Sequence, residues 1–210
     1  VSASQALIDK AIEKDANAII VHHGYFWKGE DPCLVGIKGR RIRSLMDSNM
    51  SLLAYHLPLD LHPELGNNAM IAKHLNLEVE GGFYSLNGTQ LAQQATLPEA
   101  MGVEEFALWV EKQFRRAPLI VGEGPDKITR IGWSSGASQD AIEEAAGLGL
   151  DAYISGEISE RTTHLARELG IYYVSAGHHA TEKWGVEALG VRLERELDVL
   201  CEFVDIDNPV

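Results

Sequence analysis

The sequence predicts an α/β protein of two related lobes, each a mixed sheet with flanking helices. Three observations predict it. Helix-type and strand-type apolar patterns alternate along the chain. Two stretches match at one spacing, with Ser4-Gln5 up to Ile20 paralleling Ser138-Gln139 up to Ile154, 134 residues further on. Polar residues gather where apolar strands end.

In order, Ser2 or Ser4 caps an amphipathic helix reaching about Lys14. Ala18 to Val21 is a short apolar strand ending at His22-His23-Gly24. Gly36 to Ser48 reads as a helix, and Met50 to Tyr55 as a strand ending at His56-Leu-Pro-Leu-Asp60. Pro58 favours an irregular loop there. Asn67 and Asn68 start a helix over Ala69 to Leu75. Further on come a helix over Val103 to Arg116, a strand over Leu119 to Val121, a strand over Lys127 to Trp133 and a helix over Ala137 to Leu148. Ala152 to Ile154 is a strand ending at Ser155-Gly156-Glu157, and Glu160 to Leu169 is a helix. Ile171 to Val174 ends at His178-His179, a helix follows from Thr181, and Asp198 to Val204 is expected to close the sheet.

Tyr55-His56 to Asp60 likewise parallels Gly177-His178 to Glu182. The repeat divides the chain into a first lobe over 1–97 and a second over 98–210. The strand at 127–133 precedes the second copy of the repeat. Its counterpart would lie before Val1, so the chain is expected to begin one strand late.

A chain of 210 residues, 45% hydrophobic and 23% charged, is long enough to bury a core. No apolar run reaches the roughly 18–20 residues of a membrane span, so no membrane partner and a cytoplasmic location are expected. The net charge of −13 gives no general electrostatic help toward nucleic acid. The one basic run, Lys38 to Arg43, reads either as a solvated helix face or as a local patch. Cys33 and Cys201 match no zinc spacing and read as reduced thiols.

Five of the eight histidines, His22, His23, His56, His178 and His179, lie at strand ends. Imidazole nitrogen and carboxylate oxygen are natural donors for borderline divalent metals, here Zn, Fe, Mn, Co or Ni. His178 and Glu182 stand four apart, so a helix there puts both on one face. A His-His pair at a strand end, with Gly24 letting the backbone bend, could serve two ions. The alternative for each histidine taken singly is a hydrogen-bonded loop residue.

Four segments carry a resemblance: Val21–Asp31 (VHHGYFWKGED), Tyr55–Asn68 (YHLPLDLHPELGNN), Tyr153–Gly170 (YISGEISERTTHLARELG) and Ala176–Gly190 (AGHHATEKWGVEALG). The chain resembles, over essentially its whole length, the Nif-three-like proteins, also called GTP cyclohydrolase I type 2-like, and among them the short bacterial members. The resemblance implies two divalent metal ions per chain between the two lobes, held by His22, His23, Asp60, His178 and Glu182, with Glu182 bridging. It implies that His23 and Asp60 complete one ion's shell and that His22 and His178 complete the other's. It also implies a homo-oligomer, a ring-shaped hexamer. His56 is expected behind the ligands or lining the pocket. His179 and His62 are loop residues, with or without ligand contact. Glu157 and His164 occupy positions where the family often has a polar pair, so His164 either reaches the pocket or is satisfied on its helix. Tyr25, Phe26 and Trp27 either wall the pocket or pack in the core.

The function this implies is a dinuclear metal-dependent hydrolase of a small molecule, such as a nucleotide. Two cations about 3.5–4 Å apart share a water, lower its pKa toward ~7, and so supply a hydroxide nucleophile. Two alternatives stand beside it. One is a non-catalytic metal-binding scaffold for regulation or partner binding. The other is a serine hydrolase, because Gly132-Trp-Ser134-Ser-Gly136 fits the G-x-S-x-G elbow between a strand and a helix, with Asp151 and His178 following in order.

Overall fold

The fold was analysed in a computed structural model that describes residues 1–86 and 88–210. It separates into two compact units, one of Val1–Leu59 with Val186–Asn208 and one of Asp60–Gly185 with Pro209–Val210. Residue 97, the boundary drawn from the repeat, falls inside a strand of the second unit.

In the first unit, α1 (Gln5–Glu13) starts where the Ser4 hydroxyl accepts the Leu7 N–H, the side-chain cap expected of serine. Its buried face is Leu7, Ile8 and Ala11. β1 (Ala18–Val21) buries alternate residues Ile19 and Val21 against that face. α2 (Gly36–Asp47) contributes Leu45 to the same core. β2 (Ser51–Ala54) pairs with β1 in parallel, Ala18 opposite Ser51 through Val21 opposite Ala54. The close crossing after β1 needs a glycine, since a Cβ on Gly24 would meet the Ala54 Cβ at 2.5 Å.

α3 (Leu57–Leu61) replaces the irregular loop expected around Pro58. Pro58 is the second residue of this helix, where a missing N–H breaks no intrahelical bond. α4 (Asn67–Leu75) follows and ends at Asn76 in the left-handed region.

The second unit holds a six-stranded mixed sheet. Its strands are β3 (Gly81–Leu86), β4 (Thr89–Met101), β5 (Leu119–Val121), β6 (Ile128–Trp133), β7 (Ala152–Ser155) and β8 (Tyr172–Ser175), in the order β3-β4-β6-β7-β8-β5. β6, β7 and β8 run parallel, while β4 and β5 pair antiparallel at either side of them. Both faces are covered. Ala152, Ile154 and Val174 point into one core with Ile71, Phe106, Val110 and Ala180. Tyr153 and Tyr173 point into the other, with Ile142, Ala145 and Ala166. The helices involved are α4, α5 (Val103–Phe114) and α8 (His178–Leu197) on the first face, and α6 (Ile142–Gly147) and α7 (Glu160–Leu169) on the second.

The repeat is visible in the backbone. β1 and β7 start 134 residues apart and end 134 residues apart, and each pairs in parallel over four residues with the strand leading into a histidine loop. The N–H groups of His22 and His23 both donate to the Val1 carbonyl, and those of Gly156 and Glu157 both donate to the Gly136 carbonyl. A bridge between Ser2 and His23 extends the first of these arrangements.

Two further expectations are corrected. The helix placed at Ala137–Leu148 is a short 3-10 turn at Gln139–Ala141 followed by α6. The residues from Asp198 to Val204 form no strand. Instead Val204 and Ile206 pack on the first unit's core, and Glu202 pairs with Lys14 at 2.6 Å. Val199, Leu200 and Phe203 stay exposed, so the stretch is held by those few contacts without a ladder. No helix among the described residues is long and apolar enough to cross a membrane.

Candidate metal centre

In the first unit, the ends of β1 and β2 bring three imidazoles together. One ligand atom each of His22, His23 and His56 lie within 4.8 Å of one another, with ring centroids 4.8 to 5.2 Å apart. His22 is fully buried. Its Nδ1 lies 2.9 Å from the Tyr55 carbonyl oxygen, so Nδ1 carries a proton and donates to that oxygen. His23 Nδ1 lies 3.0 Å from the Ser2 hydroxyl. His56, expected behind the ligands or lining the pocket, lies beside the other two imidazoles.

The aromatic residues after the histidine pair divide. Tyr25 is a packing residue whose hydroxyl donates to the Ala3 carbonyl. Trp27 stays exposed, standing edge-on to His56 at 4.8 Å.

In the second unit, the donors sit at the carboxyl ends of parallel strands and the start of α8. Gly177, at φ +102°, turns the chain so that α8 begins at His178. Helical spacing then places Glu182 one turn on, with its Oε2 2.8 Å from His178 Nε2. The other ring nitrogen, Nδ1, lies 2.6 Å from Glu157 Oε1 beyond the end of β7. Burial opposes charge on His178, but the carboxylates of Glu182 and Glu157 outweigh it and push the imidazole up to about 9.

Asp60 is buried, and its Oδ1 accepts from Asn67 Nδ2 at 2.8 Å and Ser135 Oγ at 2.9 Å. One of its oxygens lies within 4.8 Å of one on buried Glu182. Two buried carboxylates at that separation repel unless a cation or proton stands with them. This donor set therefore fits a divalent ion.

Several supporting residues carried no signal in the sequence beyond turn or cap chemistry. Asn67 Oδ1 accepts the Gly185 N–H at 2.8 Å, tying the Asp60 partner to α8. Asn68 Oδ1 accepts the Ser135 N–H at 2.9 Å. Thr181 Oγ1 accepts the Gly136 N–H at 3.0 Å. A polar residue just before an apolar helix looks like a cap in any sequence, and only the packing shows otherwise.

His164 does not join these groups. It is exposed on α7, 3.0 Å from Glu160 one turn earlier. His62 accepts the Glu64 and Leu65 N–H groups in a turn. The N–H of His179 donates to the Val210 carbonyl.

The serine-hydrolase arrangement does not assemble. Ser134 is buried, the His178 nitrogens face Glu157 and Glu182, and Asp151 Oδ2 accepts the Thr129 and Arg130 N–H groups at 2.8 Å. The glycines of the motif have packing reasons. A Cβ on Gly132 would press on Leu150 and Phe83 at 2.7 and 2.8 Å, and Gly136 lies against Glu182.

Fold and donor sets thus define a class: a two-unit α/β protein whose strand ends carry His/Asp/Glu groups fit to hold metal. Comparison narrows it. Residues 1–209 match the Duf34/NIF3 (NGG1p interacting factor 3) family, and the chain belongs to that family. It is 50% identical over 209 residues to a Pseudomonas aeruginosa protein named GTP cyclohydrolase 1 type 2 homolog, covering all of this chain and 82% of that one. A Haemophilus influenzae protein of the same name is 50% identical over 214 residues, covering 100% of this chain and 83% of its own. Among solved structures, protein ybgI, described as of unknown function, aligns with a TM-score of 0.95 at 44% identity, over 100% of this chain and 83% of that one. A Thermus thermophilus protein aligns with a TM-score of 0.86 at 30% identity, with the same two coverages.

Proposed function

We propose that the protein is a metal-dependent hydrolase of a small molecule, working with two divalent ions. His22, His23, Asp60, His178 and Glu182 would hold them, with Glu182 shared. The observation that carries this reading is the buried pair Asp60 and Glu182, two carboxylates within 4.8 Å. Divalent ions there would offset the repulsion between the two carboxylates. Bound divalent ions supply Lewis-acid chemistry, acidifying water and stabilising charge on a substrate oxygen.

The chain's own residues do the positioning. The Tyr55 carbonyl fixes the His22 tautomer, Glu157 fixes the His178 ring, and Asn67 and Ser135 fix the plane of Asp60. Partners of this kind around ligands raise donor basicity and hold geometry. The relatives' name, GTP cyclohydrolase 1 type 2 homolog, points to nucleotides as the first substrates to try. The ring-shaped homohexamer implied by the family resemblance belongs to the same reading and is measurable by sedimentation.

The test is elemental analysis of protein purified without added metal, then a turnover screen over nucleotides, phosphoesters and amides with that metal restored. Turnover should track metal content and collapse in His22→Ala. Full metal loading with no turnover across the panel would instead support the scaffold reading.

A further inference from the structure

The loop after β1 holds two aromatic rings in solvent at a cost in backbone conformation. Phe26 has φ +67°, a region that bulky side chains rarely enter. Tyr84 is the other aromatic residue with positive φ among the described residues, and it packs against a core cluster. Phe26 does not; it is 67% exposed.

The loop is nonetheless tightly tied. The Trp27 N–H donates to Glu30 Oε2 at 3.0 Å, the Glu30 N–H returns to the Trp27 carbonyl at 3.0 Å, and Trp27 Nε1 donates to the Gly24 carbonyl at 3.2 Å. Lys38 Nζ donates to the Asp31 carbonyl at 2.6 Å and stands 5.0 Å from the centre of the Phe26 ring. So the exposure is built in. The rings also sit beside the donor cluster: Trp27 is edge-on to His56 at 4.8 Å and 6.4 Å from His23.

We propose that Phe26 and Trp27 form a stacking platform that receives a planar heteroaromatic ring of the ligand beside the three histidines. Aromatic side chains take such rings by their faces, with little demand on ring identity. A rigid platform loses little freedom on binding, which accounts for a strained, tied loop in place of a mobile one. The inference rests on the hydrolase reading only in calling that ligand a substrate.

Trp27 is the exposed one of four tryptophans; Trp133 is buried, and Trp109 and Trp184 are partly buried. Its fluorescence therefore reports on the platform. Guanosine 5′-monophosphate and ribose 5-phosphate, which differ by the base alone, are titrated against the full chain by fluorescence and calorimetry. The monophosphate should quench fluorescence and bind at least about 10-fold more tightly than ribose 5-phosphate. Phe26→Leu and Trp27→Leu should each remove most of that preference, and Trp27→Tyr should restore it. Equal affinity for the two probes, or unchanged binding in Trp27→Leu, overturns the proposal. A lower sedimenting mass in the leucine variants also overturns it, by assigning the rings to a contact between copies. Base-dependent binding with no turnover on any substrate would sink the hydrolase reading alone. Turnover indifferent to the base would sink the platform alone.

Discussion

A Cβ placed on Gly136 would stand 2.0 Å from Glu182 Oε1, so any side chain at 136 must push the Glu182 carboxylate aside. Gly136 also has φ +64°, which penalises any replacement. Gly136→Ala should therefore displace Glu182 and cost about 1–3 kcal/mol of stability. Thermal unfolding paired with elemental analysis checks both, and a variant with unaltered melting and metal content would refute the coupling.

Glu157 holds His178 through Nδ1 at 2.6 Å. Glu157→Gln keeps the shape and removes the charge. Metal affinity should drop roughly 10–100-fold, as for other partners of ligating histidines, with little change in the melting curve because Glu157 is substantially exposed. Competition titration with a chelator of known affinity measures it.

Asn67 is fully buried and bonds both Asp60 and the Gly185 N–H. Asn67→Ala leaves a buried donor and acceptor without those partners, and about 1–3 kcal/mol of stability should go. Asn67→Asp should be worse, because it sets a third carboxylate against Asp60. Denaturant unfolding of the two variants ranks them; the reverse order would contradict the assigned bonds.

Burial raises Tyr153 and Tyr173 well above the ordinary tyrosine value, against relief from the Ser138 and Ser155 hydroxyls. An unfolded tyrosine ionises near 10. Below that pH both states are protonated and stability is unaffected. Above it the unfolded chain sheds protons that the folded chain keeps, so stability falls as pH rises. Unfolding free energies between about pH 9 and 11.5 should decline, and less steeply in Tyr153→Phe. A flat profile would contradict the burial of both hydroxyls.

Ser134→Ala should keep any metal-dependent turnover, since Ser134 has no role in the donor sets. Abolished turnover with intact metal content would restore the serine-hydrolase alternative.

Most helices and strands are legible from their local pattern: Leu7, Ile8 and Ala11 along α1, and the apolar run Ala152 to Ile154 in β7. β3 and β4 carry no such signal. The stretch Thr89 to Met101 is rich in glutamine and contains Pro98, and its pairing with β6 shifts register between Thr96 and Met101. Its strand character comes from two flanking partners, which local sequence does not display. The donors are legible as residue types at strand ends. The roles of Asn67, Asn68, Ser135 and Thr181 are not, because short polar side chains favour caps and turns everywhere in a chain.

The sequence by itself determined the alternation of elements, the internal repeat and the placing of histidines and carboxylates where strands stop, since all three are written in local periodicity and spacing. Only the tertiary structure decided that His56 joins His22 and His23, that His164 does not reach the donors, and that Asp60 lies within 4.8 Å of Glu182. Those relations depend on how residues far apart in the chain pack, and the distances that packing sets cannot be read from neighbouring residues.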